Sequence, residues 1–272
     1  MINRSGLDVF PNVDKGMLAT LPHPAVEAVA ATLVIAHGLY GSGRNWGVIA
    51  RRLADRRMVV AVDMRNHGDS PRELTHSYPD MASDLAEVIA GLTQPVDVLG
   101  HSMGGKAAMQ LALTRPDLIR RLIVADIAPV AYSHDQLRHV EAMAALDLSA
   151  VTTRAEADAA LARAGVEDAA LRAFFLQSLD LRARLPRWKL NLPVLKAEMP
   201  KIIGWPGTEG QFTGPTLFLT GAESHYVLPQ HRDTIRSLFP KARFAKIPGA
   251  GHWLHAEKPR EFEETVRVFL ES

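Results

Sequence analysis

The chain has 272 residues, 47% of them hydrophobic and 22% charged, the proportions of an ordinary globular protein near the upper size for one hydrophobic core. A formal net charge of +1 argues against a nucleic-acid or polyanion surface, and the absence of cysteine removes disulfides, thiolate nucleophiles and cysteine metal sites together. No apolar stretch approaches the roughly 20 residues a membrane span needs, and residues 1–16 carry Arg4, Asp8, Asp14 and Lys15 without the apolar core of a secretory signal, so a cytoplasmic location is expected.

In chain order, residues 31–36 form a β-type apolar run that ends at His37-Gly38, and residues 45–57 read as an amphipathic helix. Residues 58–63 are the next buried strand. Residues 78–92 are helical, with Met81, Leu85, Val88 and Ile89 on one face. A strand over 96–99 precedes a helix over 106–113, and residues 122–127 make another strand. Near-continuous apolar strands alternating with helices predict a mostly parallel sheet covered on both faces. From about residue 130 to 210 no strand run occurs; helical stretches over 140–148, 154–164 and 169–179 take its place. Strands resume at 215–220 and 242–247, and a last helix covers 259–270. The expected organisation is an α/β core of residues 1–129 and 211–272 with a helical cap, 130–210, inserted into it. Sites in such sheets lie beyond the carboxyl ends of the strands. An insertion leaving from the strand that ends at Asp126 emerges on that side, as a lid.

The chemistry centres on Gly100-His101-Ser102-Met103-Gly104, placed between a strand and a helix. A tight strand-to-helix turn of this kind holds its serine hydroxyl out at the tip, with glycines making room for a strained backbone. Serine is a poor nucleophile at neutral pH and needs a base. His252, in Gly249-Ala250-Gly251-His252-Trp253, follows the last strand at the same sheet edge; His255 is a rival that lies nearer the final helix and reads as a packing or capping residue. For the acid the residues leave two choices. Asp126 ends an apolar strand, where a carboxylate requires a charged or donating partner. Glu223 lies in the loop after the penultimate strand, whose next residue is Ser224. Two backbone amides are positioned to receive a developing oxyanion: that of Met103, at a helix start, and that of Leu39, in the glycine-rich loop His37-Gly38-Leu39-Tyr40-Gly41-Ser42-Gly43.

Taken together, these residues resemble the α/β-hydrolase superfamily over nearly the whole chain, and within it the YbfF-type esterase branch with its mitochondrial abhydrolase-domain relatives. The segments that carry the resemblance are Asp63-Met64-Arg65-Asn66-His67-Gly68-Asp69-Ser70, Gly100 to Lys106, Asp126-Ile127-Ala128-Pro129, Asn191-Leu192-Pro193-Val194-Leu195 and Gly249 to Pro259. The resemblance implies an α/β-hydrolase fold and a Ser102-His252-Asp126 triad, with Ser224 standing where other hydrolases carry the acid. It implies cleavage of short-chain esters and, in some members, acyl-CoA thioesters, without a cofactor. It also implies that Arg65, Asn66 and His67 brace the loop near the site, and that Asp63 is structural.

Other readings make different demands. A haloalkane dehalogenase or epoxide hydrolase needs an aspartate where Ser102 stands. A carbon–carbon bond hydrolase uses the same triad, and a hydrolase fold turned non-hydrolytic ligand sensor is the reading from a different class. Among the 11 histidines no metal-ligand spacing such as His-Glu-x-x-His occurs, and no metal is expected. His134 and His139 do not share a helix face well and read as surface residues. Phe174, Phe175, Leu176, Trp188 and Trp205 give the insertion an apolar bias that suits either pocket lining or packing.

Overall fold

The computed structural model describes residues 17–133 and 136–272, so the reading of residues 1–16 and that of His134 lie outside the described residues. The elements run in the order β1 (Thr20–His23), β2 (Leu33–Ala36), α1 (Gly47–Leu53), β3 (Val59–Val62), α2 (Tyr78–Ala90), β4 (Val96–His101), α3 (Met103–Thr114) and β5 (Ile119–Ala125). Then follow α4 (Leu137–Ala144), α5 (Arg154–Arg163), α6 (Ala169–Leu176), the two-residue strands β6 (Leu179–Asp180) and β7 (Arg187–Trp188), α7 (Leu192–Ala197) and α8 (Met199–Ile203). The chain closes with β8 (Thr216–Gly221), α9 (Arg232–Leu238), β9 (Ala242–Ile247), α10 (Leu254–Glu257) and α11 (Pro259–Glu271).

Among the described residues seven strands form the main sheet, in the order β1-β3-β2-β4-β5-β8-β9. All its pairings are parallel except that of β1, which runs antiparallel to β3 at the edge. The side-chain period of two sorts the buried strands between two cores. Val34, Ala36, Val60, Val62, Val98 and Val124 point to the face covered by α2 and α3. Leu33, Ile35, Val59, Ala61, Leu99 and Ile123 point to the face covered by α1 and α11. With both faces covered, the strands need no polar side, which is why they read as unbroken apolar runs.

The helical boundaries are shaped by local chemistry. Ser77 caps α2 in a reciprocal box with Asp80. The helix expected over 45–57 is split, with a 3-10 turn at Gly43–Trp46 before α1. Among the described residues between β5 and β8 no strand joins the main sheet, but β6 and β7 pair with each other, a small antiparallel ribbon that the alanine-rich pattern did not show. Among the ties that fasten this segment to the loops of the main sheet are a bridge between His67 and Leu190 and the Asn191 N–H donating to the Asn66 carbonyl at 2.9 Å.

Candidate active site

Five loops converge at the carboxyl edge of the sheet, following β2, β4, β5, β8 and β9. Ser102, between β4 and α3, has φ 51° and ψ −119°. For a residue with a side chain this left-handed conformation costs about 1–3 kcal/mol, so the surroundings must over-determine it. They do. The Ser102 N–H donates to the Ala125 carbonyl at 3.0 Å. A Cβ on Gly100 would meet the Gly104 carbonyl oxygen at 2.3 Å, and one on Gly104 would meet that of Ala36 at 2.4 Å, so both glycines of the pentapeptide are required by close backbone approach. Asp126, immediately after β5, is held at φ 53° in the same way, its N–H bonded to Leu219 O at 2.9 Å.

These two strained turns face His252. Its Nε2 lies 3.1 Å from Ser102 Oγ, and its Nδ1 lies 2.7 Å from Asp126 Oδ2. The Asp126 carboxylate is wholly buried, so its remaining acceptor sites must be filled. Gly221 N–H donates to Oδ1 at 3.1 Å, and the Ser224 hydroxyl donates to Oδ2 at 2.5 Å. Thus Ser224 supports the Asp126 carboxylate from the loop that also carries Glu223, whose own side chain is exposed. His101, the residue before Ser102, donates Nε2–H to the carbonyl of His252 at 2.8 Å and so tethers the loop that bears it.

His255 is buried and stacked flat on Trp46, with ring centroids 4.2 Å apart, and burial pushes its pKa down to about 3. It packs behind His252 beside His101. One aromatic partner of His252 carried no signal in the sequence. Tyr226 stacks on its imidazole at 3.9 Å with the planes 16° apart, and the Tyr132 hydroxyl donates to the Tyr226 carbonyl at 2.7 Å.

The loop after β2 is braced by two neutral histidines. His37 accepts the Met64 N–H at Nε2 (2.9 Å), which leaves Nδ1–H to donate to Gly38 O at 2.7 Å. His67 accepts the Tyr40 N–H at Nε2 (3.1 Å) and donates Nδ1–H to Arg65 O at 2.9 Å. Burial holds their pKa values near 4 and 3, so both remain uncharged in this role. Tyr40 adopts φ 65°, turning the loop towards Ser102, and a Cβ on Gly38 would come within 3.2 Å of the Ser102 Cβ. Leu39 and Met103 line one cavity with Ser102 and His252. Around this loop, Arg65 makes a bidentate pair with Asp84 at 2.6 and 2.7 Å, Asn66 Oδ1 accepts from Asn191 Nδ2 at 2.8 Å, and Asp63 accepts the amides of Gly43 and Asp69 at 2.7 and 2.8 Å.

The cavity encloses about 250 Å³. Phe174 and Phe175 line it, whereas Trp188 turns its Nε1–H to Met143 O at 3.0 Å, and neither it nor Leu176 or Trp205 reaches the lining. His139 corrects the expectation of a surface residue. It is 9% exposed, lies 5.3 Å from the Phe175 ring and lines the cavity, because α4 packs against α7 and brings this ring against Phe175 of α6. Among the described residues no group of three or more His, Asp or Glu side chains is arranged to hold a metal, and no helix is long and apolar enough to cross a membrane.

Residues 31–259 match the family model described as the alpha/beta hydrolase fold, and the chain belongs to that family. It is 41% identical over 243 residues to the esterase YbfF of Escherichia coli (strain K12), covering 88% of this chain and 92% of that protein. It is 40% identical over 253 residues to the sn-1-specific diacylglycerol lipase ABHD11 of Mus musculus, covering 90% of this chain and 82% of that one. Among solved structures, a marine microorganism esterase superposes with a TM-score of 0.87 at 36% identity, over 93% of this chain and 99% of the other. Within the family, then, the chain falls in the YbfF-type branch and is a hydrolase of the carboxylesterase type.

Proposed function

We propose that the protein hydrolyses carboxylic esters of short to medium acyl chain, and acyl-CoA thioesters by the same steps, through an acyl-enzyme on Ser102. The observation that carries this reading is the continuous hydrogen-bonded line from Ser102 Oγ through His252 to Asp126, at 3.1 and 2.7 Å. Nucleophile, base and orienting carboxylate lie within the reach such chemistry needs.

His252 Nε2 removes the Ser102 proton as Oγ attacks the carbonyl carbon, while Nδ1–H, donated to Asp126, fixes the tautomer that makes Nε2 the base. The oxyanion that forms is received by the N–H groups of Leu39 and Met103, each such donor being worth about 3 kcal/mol. His252 then protonates the leaving alcohol or thiol as its bond to the acyl carbon breaks. A water, deprotonated by the same nitrogen, attacks the acyl-enzyme and releases the acid. In this reading residues 130–210 form a cap over the site, since Gln136, His139, Leu171, Phe174, Ile202 and Ile203 supply cavity wall from between β5 and β8.

Stopped-flow hydrolysis of p-nitrophenyl butyrate by the wild-type chain and by Ser102→Ala tests the proposal. A burst of p-nitrophenol equal to the enzyme present, and its loss with turnover in the variant, is the expected result. Ester cleavage retained by a folded Ser102→Ala chain removes the nucleophile. Running butyryl-CoA and a carbon–carbon bond substrate on the same preparation separates the ester and thioester reading from the other hydrolase that uses this triad.

A further inference from the structure

One charged group in the cavity takes no part in these steps. Lys106 lies one turn into α3, its N–H bonded to Ser102 O at 3.0 Å, and it is 1% exposed. A buried ammonium requires compensation. Here Nζ donates to Ile203 O at 3.0 Å and also to Gly204 O, and it stands 4.7 Å from the Tyr132 ring centroid and 5.5 Å from that of Tyr78. Its neighbours grip the same short stretch. The Tyr78 hydroxyl donates to Ile202 O, and the Tyr132 N–H donates to Ile203 O at 3.0 Å. Three successive carbonyls at the end of α8 are thus fastened to α2, α3 and the loop after β5. The side chains they carry into position, Ile202 and Ile203, are cavity wall.

The cavity is asymmetric. Beside Lys106 the lining residues Tyr78, Ile127 and Ile202 are 2%, 3% and 5% exposed, while Ile203 and Tyr132 are half-buried. On the other side Leu171, Phe174 and Trp253 are half-buried, and the last two rings lie 6.2 Å apart. In a two-step acyl transfer the leaving group departs before water enters, so it belongs at the more open side. The acyl chain stays attached to Ser102 and belongs on the side where Tyr78, Ile127 and Ile202 are buried, which ends at the wall held by Lys106.

We propose that Lys106 is a positioning residue that sets the longest acyl chain the enzyme accepts, by clasping the carbonyls of Ile203 and Gly204 and so fixing Ile202 and Ile203 as the end of the acyl arm. The inference rests on the acyl-enzyme reading above. A rigid apolar wall discriminates chain length because each methylene that fits or fails to fit is worth about 10-fold or more in kcat/KM.

The test compares kcat/KM for p-nitrophenyl octanoate with that for p-nitrophenyl acetate in the wild type, Lys106→Met and Lys106→Arg. Methionine keeps the length and removes the donors; arginine restores donors and charge. The octanoate-to-acetate ratio is expected to rise about 10-fold in Lys106→Met, mostly through a lower KM for octanoate, and to return towards wild type in Lys106→Arg. A ratio unchanged in the folded Lys106→Met chain, including the case in which all esters slow together, overturns the proposal. Should that variant not fold, Ile203→Ala decides: shortening the wall directly raises the ratio, and an unchanged ratio overturns the proposal. Loss of the acyl-enzyme reading registers separately, as turnover surviving Ser102→Ala. A Ser102-dependent burst with an unchanged chain-length ratio sinks only the role of Lys106.

Discussion

The Ser224 hydroxyl and His252 Nδ1 meet at one atom, Asp126 Oδ2, at 2.5 and 2.7 Å. With Gly221 N–H on the other oxygen, the carboxylate is held by two donors, one at the end of β8 and one in the loop that follows it. Its role is therefore divided between two loops, one carrying the charge and the other its orientation.

This division orders the effects of substitution. Asp126→Asn replaces the acceptor with an amide that favours the wrong imidazole tautomer, and kcat is expected to fall by roughly 10⁴. Ser224→Ala leaves the charge and removes one aiming bond; a fall of about 10-fold in kcat, or about 1.4 kcal/mol, is expected. Glu223→Gln, on an exposed side chain, leaves kcat within about twofold. Steady-state rates at equal folded concentration check all three. A larger loss from Glu223→Gln than from Asp126→Asn contradicts the assignment.

The buried histidines predict a stability that depends on pH above the usual carboxylate range. His37, His67 and His255 have folded pKa values near 4, 3 and 3, and His76 and His101 are also held well below 6.5, in each case first by burial. The sign follows from proton counts. Below pH 6.5 the unfolded chain takes up protons that the native chain does not, so these groups support the native state fully above that pH and progressively less as pH falls towards their folded values. Each contributes a slope of about 1.4 kcal/mol per pH unit within that window. Urea midpoints measured at pH 7.5, 6 and 5 are expected to decline steeply. His255→Phe keeps the aromatic stack on Trp46 without a titrating group, so its slope should be shallower by about one proton. A wild-type midpoint constant from pH 7.5 to 5 contradicts the account.

What was legible follows from where the information resides. β2, β3 and β4 are buried on both faces, so each is a local apolar run that composition alone reveals. β1 is an edge strand with a half-exposed pattern and Pro22 within it, and nothing local marks it. The turns that hold Ser102, Asp126 and His252 are marked in the sequence because each follows a strand and has its own residue signature. Tyr226 and Lys106 are not, since one acts through a stack with a ring 26 positions away and the other through carbonyls nearly 100 positions on. His139 was misplaced for the same reason: its burial depends on the packing of two helices, which the spacing to His134 does not encode.

Far from the site, Asp97 is fully buried at the amino end of β4, between Arg57 at 3.3 Å and Arg120 at 2.5 and 2.9 Å. Arg57 is itself only 3% exposed, so removal of the shared carboxylate strands a buried guanidinium. Asp97→Asn is expected to destabilise the chain by about 3–5 kcal/mol in urea unfolding. Because the site lies at the opposite end of the strands, kcat per folded molecule should be unchanged, and a large change in kcat would show that the two ends of the sheet are coupled.

Lys106 allows charge and hydrogen bonding to be separated. Burial lowers its pKa from about 10.5 to about 7. Below pH 7 native and unfolded chains both carry the proton, and the cost of burying the ammonium is felt in full. Between pH 7 and about 10 the unfolded chain keeps a proton that the native chain has released, so this residue's contribution to stability improves with rising pH, on the order of 1 kcal/mol per unit. Lys106→Met lacks the titration. Its stability relative to wild type should therefore decline from pH 7 to 9.5, read as the difference between the two urea midpoints. The clasp itself behaves otherwise. A neutral amine retains two N–H groups, enough for the Ile203 and Gly204 carbonyls. The octanoate-to-acetate ratio of the wild type is thus expected to hold steady across the same pH range in which the stability difference drifts. If the ratio instead moves with the titration, the end wall is held by the charge of Lys106 rather than by its donors.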